Sequence, residues 1–150
     1  MRTVVQRVRH ASVMIDEQCV ASIGQGMLLL VGFEDADEPN DLEWMAQKVA
    51  NLRIFDDADG VMNRSVKDVD GELLVVSQFT LYASVKKGNR PSYIRAAKPD
   101  VAIPLYESFC ETMGLQAGRE VKTGVFGADM KVSLLNDGPV TIVIDTKHKE

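Results

Sequence analysis

The chain has 150 residues, 45% of them hydrophobic, which suits one compact domain over residues 1–150 with a buried core. Its 17 Lys and Arg against 22 Asp and Glu leave a formal net charge of −5, which excludes a global pull toward a polyanion and confines any nucleic-acid contact to a local patch. The two cysteines, Cys19 and Cys110, have neither CxxC nor Cys/His spacing, which argues against a zinc site and fits a reducing cytoplasm.

At the start of the chain, MRTVVQRVRHASV alternates charged and apolar residues where a secretory leader would be continuously apolar. No later run approaches the ~20 apolar residues of a membrane span, so a soluble cytoplasmic protein is expected. Val4, Gln6, Val8 and His10 alternate with Val5, Arg7 and Arg9, and the run ASVMID, the turn Asp16-Glu17-Gln18 and CVASIG complete a predicted antiparallel hairpin. GMLLLVGF, residues 26–33, is almost uniformly apolar and predicts a strand covered on both faces. From Asn40, the residues Leu42, Met45, Ala46, Val49 and Ala50 recur at helical spacing, with Asn40 and Glu43 placed as a capping box.

LRIF follows, then the polar stretch DDADGVMNRSVKDVDG, then ELLVVSQFTLYAS, which predicts a long strand entered through an Asp70-Gly71 turn. KKGNRPSYIRAAKPD is a basic, proline-bearing loop. Leu105, Tyr106, Phe109, Cys110 and Met113 predict a second helix, stopped by Gly114, with Pro104 in its first turn or bending it. REVKTGVF, DMKVSLL and VTIVID complete a run of strands. Within LLNDGPVTIVID, Asn136-Asp137-Gly138 suffices for a hairpin turn, and the plain reading of Asn-Asp-Gly-Pro is a rigid corner between two strands. Pro139 is then surplus: it removes a donor at the mouth of a strand and is the residue type that admits a cis bond. The expected fold is α/β: a sheet-rich three-layer α/β/β domain with largely antiparallel strands and two helices on one face.

Several motifs bear on chemistry. DDADG fails as a calcium loop, because with Gly60 at the sixth position Phe55 and Val66 occupy the first and twelfth, where acidic ligands belong. A histidine-based triad lacks its base: His10 lies in the first strand and His148 in the tail, and there is no GxSxG or SxxK. Ser77, Gln78 and Thr80 interrupt an apolar run, either as polar groups tied into neighbouring strands or as a polar spot on a pocket wall, where Gln78 and nearby main-chain N–H groups would serve as an oxyanion hole. KKGNR, residues 86–90, with Arg95 and Lys98, is either a solvated loop or, with Tyr93 to stack, a contact for phosphates and an unpaired RNA end.

SQFTLY and NDGPVT, with LRIF, GNRPS, LYESF and FGADM, resemble the D-aminoacyl-tRNA deacylases of the bacterial and eukaryotic type, nearly end to end. Neither motif block departs from the family pattern; the differences are peripheral, chiefly in YIRAAKPDVAIP. The resemblance implies a homodimer that hydrolyses the ester between tRNA and a D-amino acid, or glycine mischarged on tRNA(Ala). It also implies no metal or organic cofactor, and neither a membrane nor DNA as partner. By the same resemblance Ser77, Gln78, Phe79 and Thr80 carry catalysis, with the main chain near Phe79 as oxyanion donor. Gly138 and Pro139 form a Gly-cisPro pair inserted into the partner subunit's pocket to reject L-amino acids. Met130 resembles a position near the adenosine pocket. Thr80 is either the nucleophile or a pocket-lining hydroxyl beside a water activated by the 2′-hydroxyl of the terminal adenosine; the missing histidine favours the second. Two other classes stay open: a non-catalytic tRNA 3′-end binding protein, and a structural dimerisation domain in which SQFT and Gly-Pro are core network and corner.

Overall fold

Alternation of apolar and polar residues builds the first strand, β1 (Arg2–Ile15), whose Val5, Val8, Ala11 and Val13 are buried. Asp16 and Glu17, both at positive φ (48° and 65°), make the tight turn into β2 (Gln18–Ile23). β3 (Gly26–Gly32) then runs antiparallel to β1 on one side and parallel to β6 (Glu72–Ser77) on the other, as its uniformly apolar sequence requires. A short β7 (Lys122–Thr123) extends this side, and β8 (Lys131–Asp145) pairs antiparallel along nearly the whole of β1. A separate small sheet joins β4 (Phe55–Asp56) to β5 (Met62–Arg64). The computed structural model describes residues 1–150 throughout.

Two helices, α1 (Pro39–Asn51) and α2 (Pro99–Ala117), cover one face of the sheet. Leu42, Met45, Val49, Phe109 and Met113 meet Val5, Met27, Leu29, Leu73 and Val75 there in one apolar cluster. On the other face Leu28, Leu74 and Val76 pack against Val8, Val13 and Ile23, because the second half of β1 and its partner β2 fold back over β3 and β6. The expected α/β/β layering is therefore observed, with largely antiparallel pairing and two parallel contacts. No helix is long and apolar enough to cross a membrane.

Several expectations fail at element boundaries. The capping box of α1 is Glu38 with Asp41, not Asn40 with Glu43: Pro39, with its preset φ and absent N–H, occupies the first helical position and moves the cap upstream. α2 starts at Pro99, so of the two placements expected for Pro104 the first turn is excluded and the residue lies inside the helix. It also runs beyond Gly114, whose carbonyl accepts the N–H groups of Gly118 (2.9 Å) and Arg119 (3.2 Å), and ends at Gly118 with φ 73°. REVKTGVF shrinks to a two-residue strand, and β4 likewise has only two residues. ELLVVSQFTLYAS is not one strand: it stops at Ser77 and Phe79–Tyr82 form a 3₁₀ turn.

The largest difference concerns Asn-Asp-Gly-Pro, which does not reverse the chain. β8 continues in one direction, with Asn136 opposite Val8 and Thr141 opposite Gln6, so residues 137–140 bulge out opposite Arg7 alone. Asn136 closes the bulge: its Oδ1 accepts the Val140 N–H at 3.1 Å and its Nδ2 donates to Thr141 Oγ1 at 2.9 Å. The Gly138-Pro139 bond is cis.

The parallel register places Gly26 against Glu72 so closely that a Cβ there would fall 1.8 Å from the Glu72 carbonyl oxygen. Gly26→Ala must push two central strands apart. We expect it to cost at least about 2 kcal/mol, seen as a Tm lowered by about 5 °C or more; an unchanged melting curve would contradict this register.

Candidate active site

β3 and β6 are parallel, so their carboxyl ends lie side by side, and a cavity of about 300 Å³ opens there. Val31 and Gly32 of β3 and Ser77, Gln78 and Phe79 form one wall. The loop before β8 forms the opposite wall with Phe126, Asp129 and Met130, which brings SQFT and FGADM together across one space. Position follows from chain geometry: β6 ends at Ser77, the Gln78 N–H donates to Val31 O at 2.7 Å, and the chain then tightens into the 3₁₀ turn. The first N–H groups of such a turn, those of Phe79 and Thr80, have no acceptor within it.

Thr80 does not line the cavity. Its Oγ1 accepts a hydrogen bond from the Gln78 side-chain amide, a group that donates and cannot take up a proton. Neither histidine lines the cavity. Asp129 does, but it faces Lys131 Nζ, with both carboxylate oxygens at 2.9 Å. Cys110 is outside it as well, and burial pushes its thiol up to about 12, which keeps it protonated.

The 3₁₀ turn is clamped from behind. Arg2 donates from Nη1 to Leu81 O at 3.0 Å and from Nε to Asp145 Oδ2 at 2.7 Å, and its guanidinium lies 4.7 Å from the centre of the Tyr82 ring. Burial works against ionising Asp145, but the hydrogen bond and charge of Arg2, with the Lys147 N–H, hold its carboxyl below the usual aspartate range. The ends of β1, β8 and the turn are thereby fixed to one another.

Gly138 and Pro139 do not line the cavity of their own chain; they sit on the β8 bulge, exposed. Their support is Arg7, a residue that sequence reasoning did not single out. Arg7 is only 8% exposed; its Nε donates to Asp137 O at 2.9 Å and its Nη1 to Ile54 O at 2.7 Å, and Asp56 Oδ1 and Asp137 Oδ2 stand 3.4 and 3.7 Å away. The available signal was alternation: Thr3, Val5 and Arg7 share the inward face of β1, and an inward arginine needs buried acceptors.

Residues 4–145 match the family model described as D-Tyr-tRNA(Tyr) deacylase. Over all 150 residues the chain is 66% identical to a Parabacteroides distasonis protein named D-aminoacyl-tRNA deacylase, with 100% of both chains covered. Among solved structures it is similar to one named c-Myc DNA Unwinding Element Binding Protein (TM-score 0.90, 41% identity, 97% of this chain and 98% of that one). A second, described as a probable eukaryotic D-amino acid tRNA deacylase, shares the fold (TM-score 0.81, 18% identity, covering 95% and 97%).

The Met130 wall depends on Gly124, where an added Cβ would lie within van der Waals overlap of the Met130 sulfur. Gly124→Ala should therefore displace Met130 and cost about 1 kcal/mol, whereas in a Met130→Ala background the same change should cost almost nothing. Melting curves of the two single variants and the double variant check this; additive losses would show that Gly124 acts elsewhere.

Proposed function

Because this chain belongs to the D-Tyr-tRNA(Tyr) deacylase family, we propose that its cavity takes the terminal adenosine of tRNA and that a D-amino acid is cleaved from it there. The enzyme is a D-aminoacyl-tRNA deacylase, a carboxylic ester hydrolase of translation quality control. One domain spanning residues 1–150 carries the site. Water adds to the ester carbonyl, the bond to the ribose oxygen breaks, and the proton passes to that oxygen, releasing tRNA and the free amino acid. The main-chain N–H of Phe79, at the cavity wall, is the donor for the oxyanion. With Thr80 held by an amide and no base beside it, the attacking water is activated by the 2′-hydroxyl of the substrate rather than by a side chain.

The observation that carries the chiral mechanism is the separation of the two motif blocks within one chain. SQFT lines the cavity, while Gly138-Pro139 stands exposed on the β8 bulge and lines no part of it. A second copy brings them together, and β8 suits that role: only β1 pairs with it, and Leu135 and Val143 on it are exposed. In the homodimer the bulge of one subunit closes the pocket of the other with main chain, which rejects an L side chain by direction and leaves D side chains pointing outward.

Glycine has no side chain to exclude. Glycyl-tRNA, including glycine mischarged on tRNA(Ala), should thus be hydrolysed while L-alanyl-tRNA is spared. Equal rates for glycyl and L-alanyl esters would sink the steric mechanism, and no hydrolysis of any ester would leave a protein that only binds the tRNA 3′ end.

Thr80→Ala should keep deacylation within about a hundredfold of the parent, an allowance of about 2.7 kcal/mol. Loss of a covalent nucleophile would cost several orders of magnitude more. Substrate lacking the terminal 2′-hydroxyl should fail. An acyl-Thr80 adduct trapped on the parent enzyme would reverse this assignment.

A further inference from the structure

The 3₁₀ turn that lines the cavity leads directly into a finger, residues 84–92, closed at its base by Ser84 N–H to Ser92 O at 2.8 Å and Ser92 N–H to Ser84 O at 2.9 Å. Two aromatic rings stand where finger and cavity meet. Phe79 lines the cavity and is 54% exposed; Tyr93, the first residue after the finger, is 39% exposed. The rings pair edge to face, with centroids 5.1 Å apart and planes at 75°. In that arrangement the ring offering its edge keeps both faces free of the other, so the pair still presents an open aromatic face.

Lys86, Lys87 and Arg90 on the finger are exposed and take part in no ion pair or side-chain hydrogen bond. Three unpartnered cations within five residues contribute nothing to the fold, and in a chain of net charge −5 they form a local positive site. The cavity, about 300 Å³, is at the small end of ligand pockets. It has room for one nucleoside, and the nucleotide before it in a nucleic-acid strand must lie outside, over the rim.

We propose that Phe79 and Tyr93 form a stacking ledge for the base of the nucleotide that precedes the terminal adenosine of tRNA, and that Lys86, Lys87 and Arg90 take the phosphates of this unpaired strand. The inference rests on the assignment of the cavity to the terminal adenosine. Stacking suits any base, since every base has a π face, and cations at the finger position the strand without reading it. An open ring face beside a one-nucleoside cavity, followed by free cations, is the order in which base, base and phosphates leave the site.

The test uses glycyl esters of adenosine, of the dinucleotide CpA and of the trinucleotide CpCpA. With the parent enzyme, kcat/KM should rise at least about fivefold from the adenosine ester to the CpA ester, the low end of what one stacked base contributes. Tyr93→Ala should lose that increment yet cleave the adenosine ester within about twofold of the parent, which also reports an intact fold, and Tyr93→Phe should keep the increment. Lys86→Ala with Lys87→Ala should flatten the salt dependence for CpCpA and leave that for the adenosine ester unchanged. The ledge is overturned if the parent gains nothing from the added cytidine, or if Tyr93→Ala weakens both esters equally. If none of the three esters is cleaved, the deacylase assignment itself fails, a different result from cleavage without an increment.

Discussion

β1 is hydrogen-bonded along both edges, to β3 and β2 on one side and to β8 on the other, so the main sheet is built around it. A strand of 14 residues cannot stay flat while its first half belongs to the helix-covered sheet and its second half folds over the opposite face. β8 must follow it through the same bend. The pairing shifts register twice, once between Val8 and His10 and, by more, between Gln6 and Val8, where four residues of β8 stand opposite a single residue of β1. Everything distinctive about the surface of β8 originates there.

That single residue is Arg7, and its burial defines how the bulge is held. A guanidinium out of water is costly unless its donors are used, and here two main-chain carbonyls and two carboxylates surround it. One carbonyl, Ile54 O, comes from the segment just before the small β4–β5 sheet, so Arg7 ties that segment to the bulge. Asn136 then satisfies the Val140 N–H from within. The bulge is thus held in a fixed direction by Arg7 beneath it and by Asn136 and Asp137 at its start.

The cavity follows the same economy. No histidine stands on its wall, its aspartate is paired with Lys131, and the Phe79 N–H at the start of the 3₁₀ turn has no acceptor within that turn. Such donors are only as good as the turn that aims them, and Arg2 fixes that turn to the ends of β1 and β8. Tyr106, whose hydroxyl donates to Val75 O at 2.8 Å, braces β6 from the helix side. The strand that organises the sheet thus also carries both arginines, Arg2 holding the 3₁₀ turn and Arg7 the bulge.

Local periodicity made much of this legible. Alternation in residues 2–23, the apolar run 26–32 and the helical spacing from Leu42 to Ala50 each reflect burial of one or both faces, a property that neighbouring residues reveal without knowledge of their partners. The motif residues Ser77, Gln78, Phe79 and Met130 were legible too, and the fold does gather them around one cavity. The limits of elements were not: Pro39 and Pro99 start helices and Gly118 ends one through backbone geometry that several nearby residues equally permit. Asn-Asp-Gly-Pro between two strand-like runs reads locally as a corner, and only pairing with β1 decides that the strand continues past a bulge. Alternation put Arg7 on the inward face of β1, but its acceptors could not be read locally, since Asp137 lies 130 positions away, and neither could the role of Gly124, which the packed sulfur of Met130 defines. Burial pattern is a property of the chain read locally, whereas register, bulge and support are properties of contacts, and those exist only once the strands have paired.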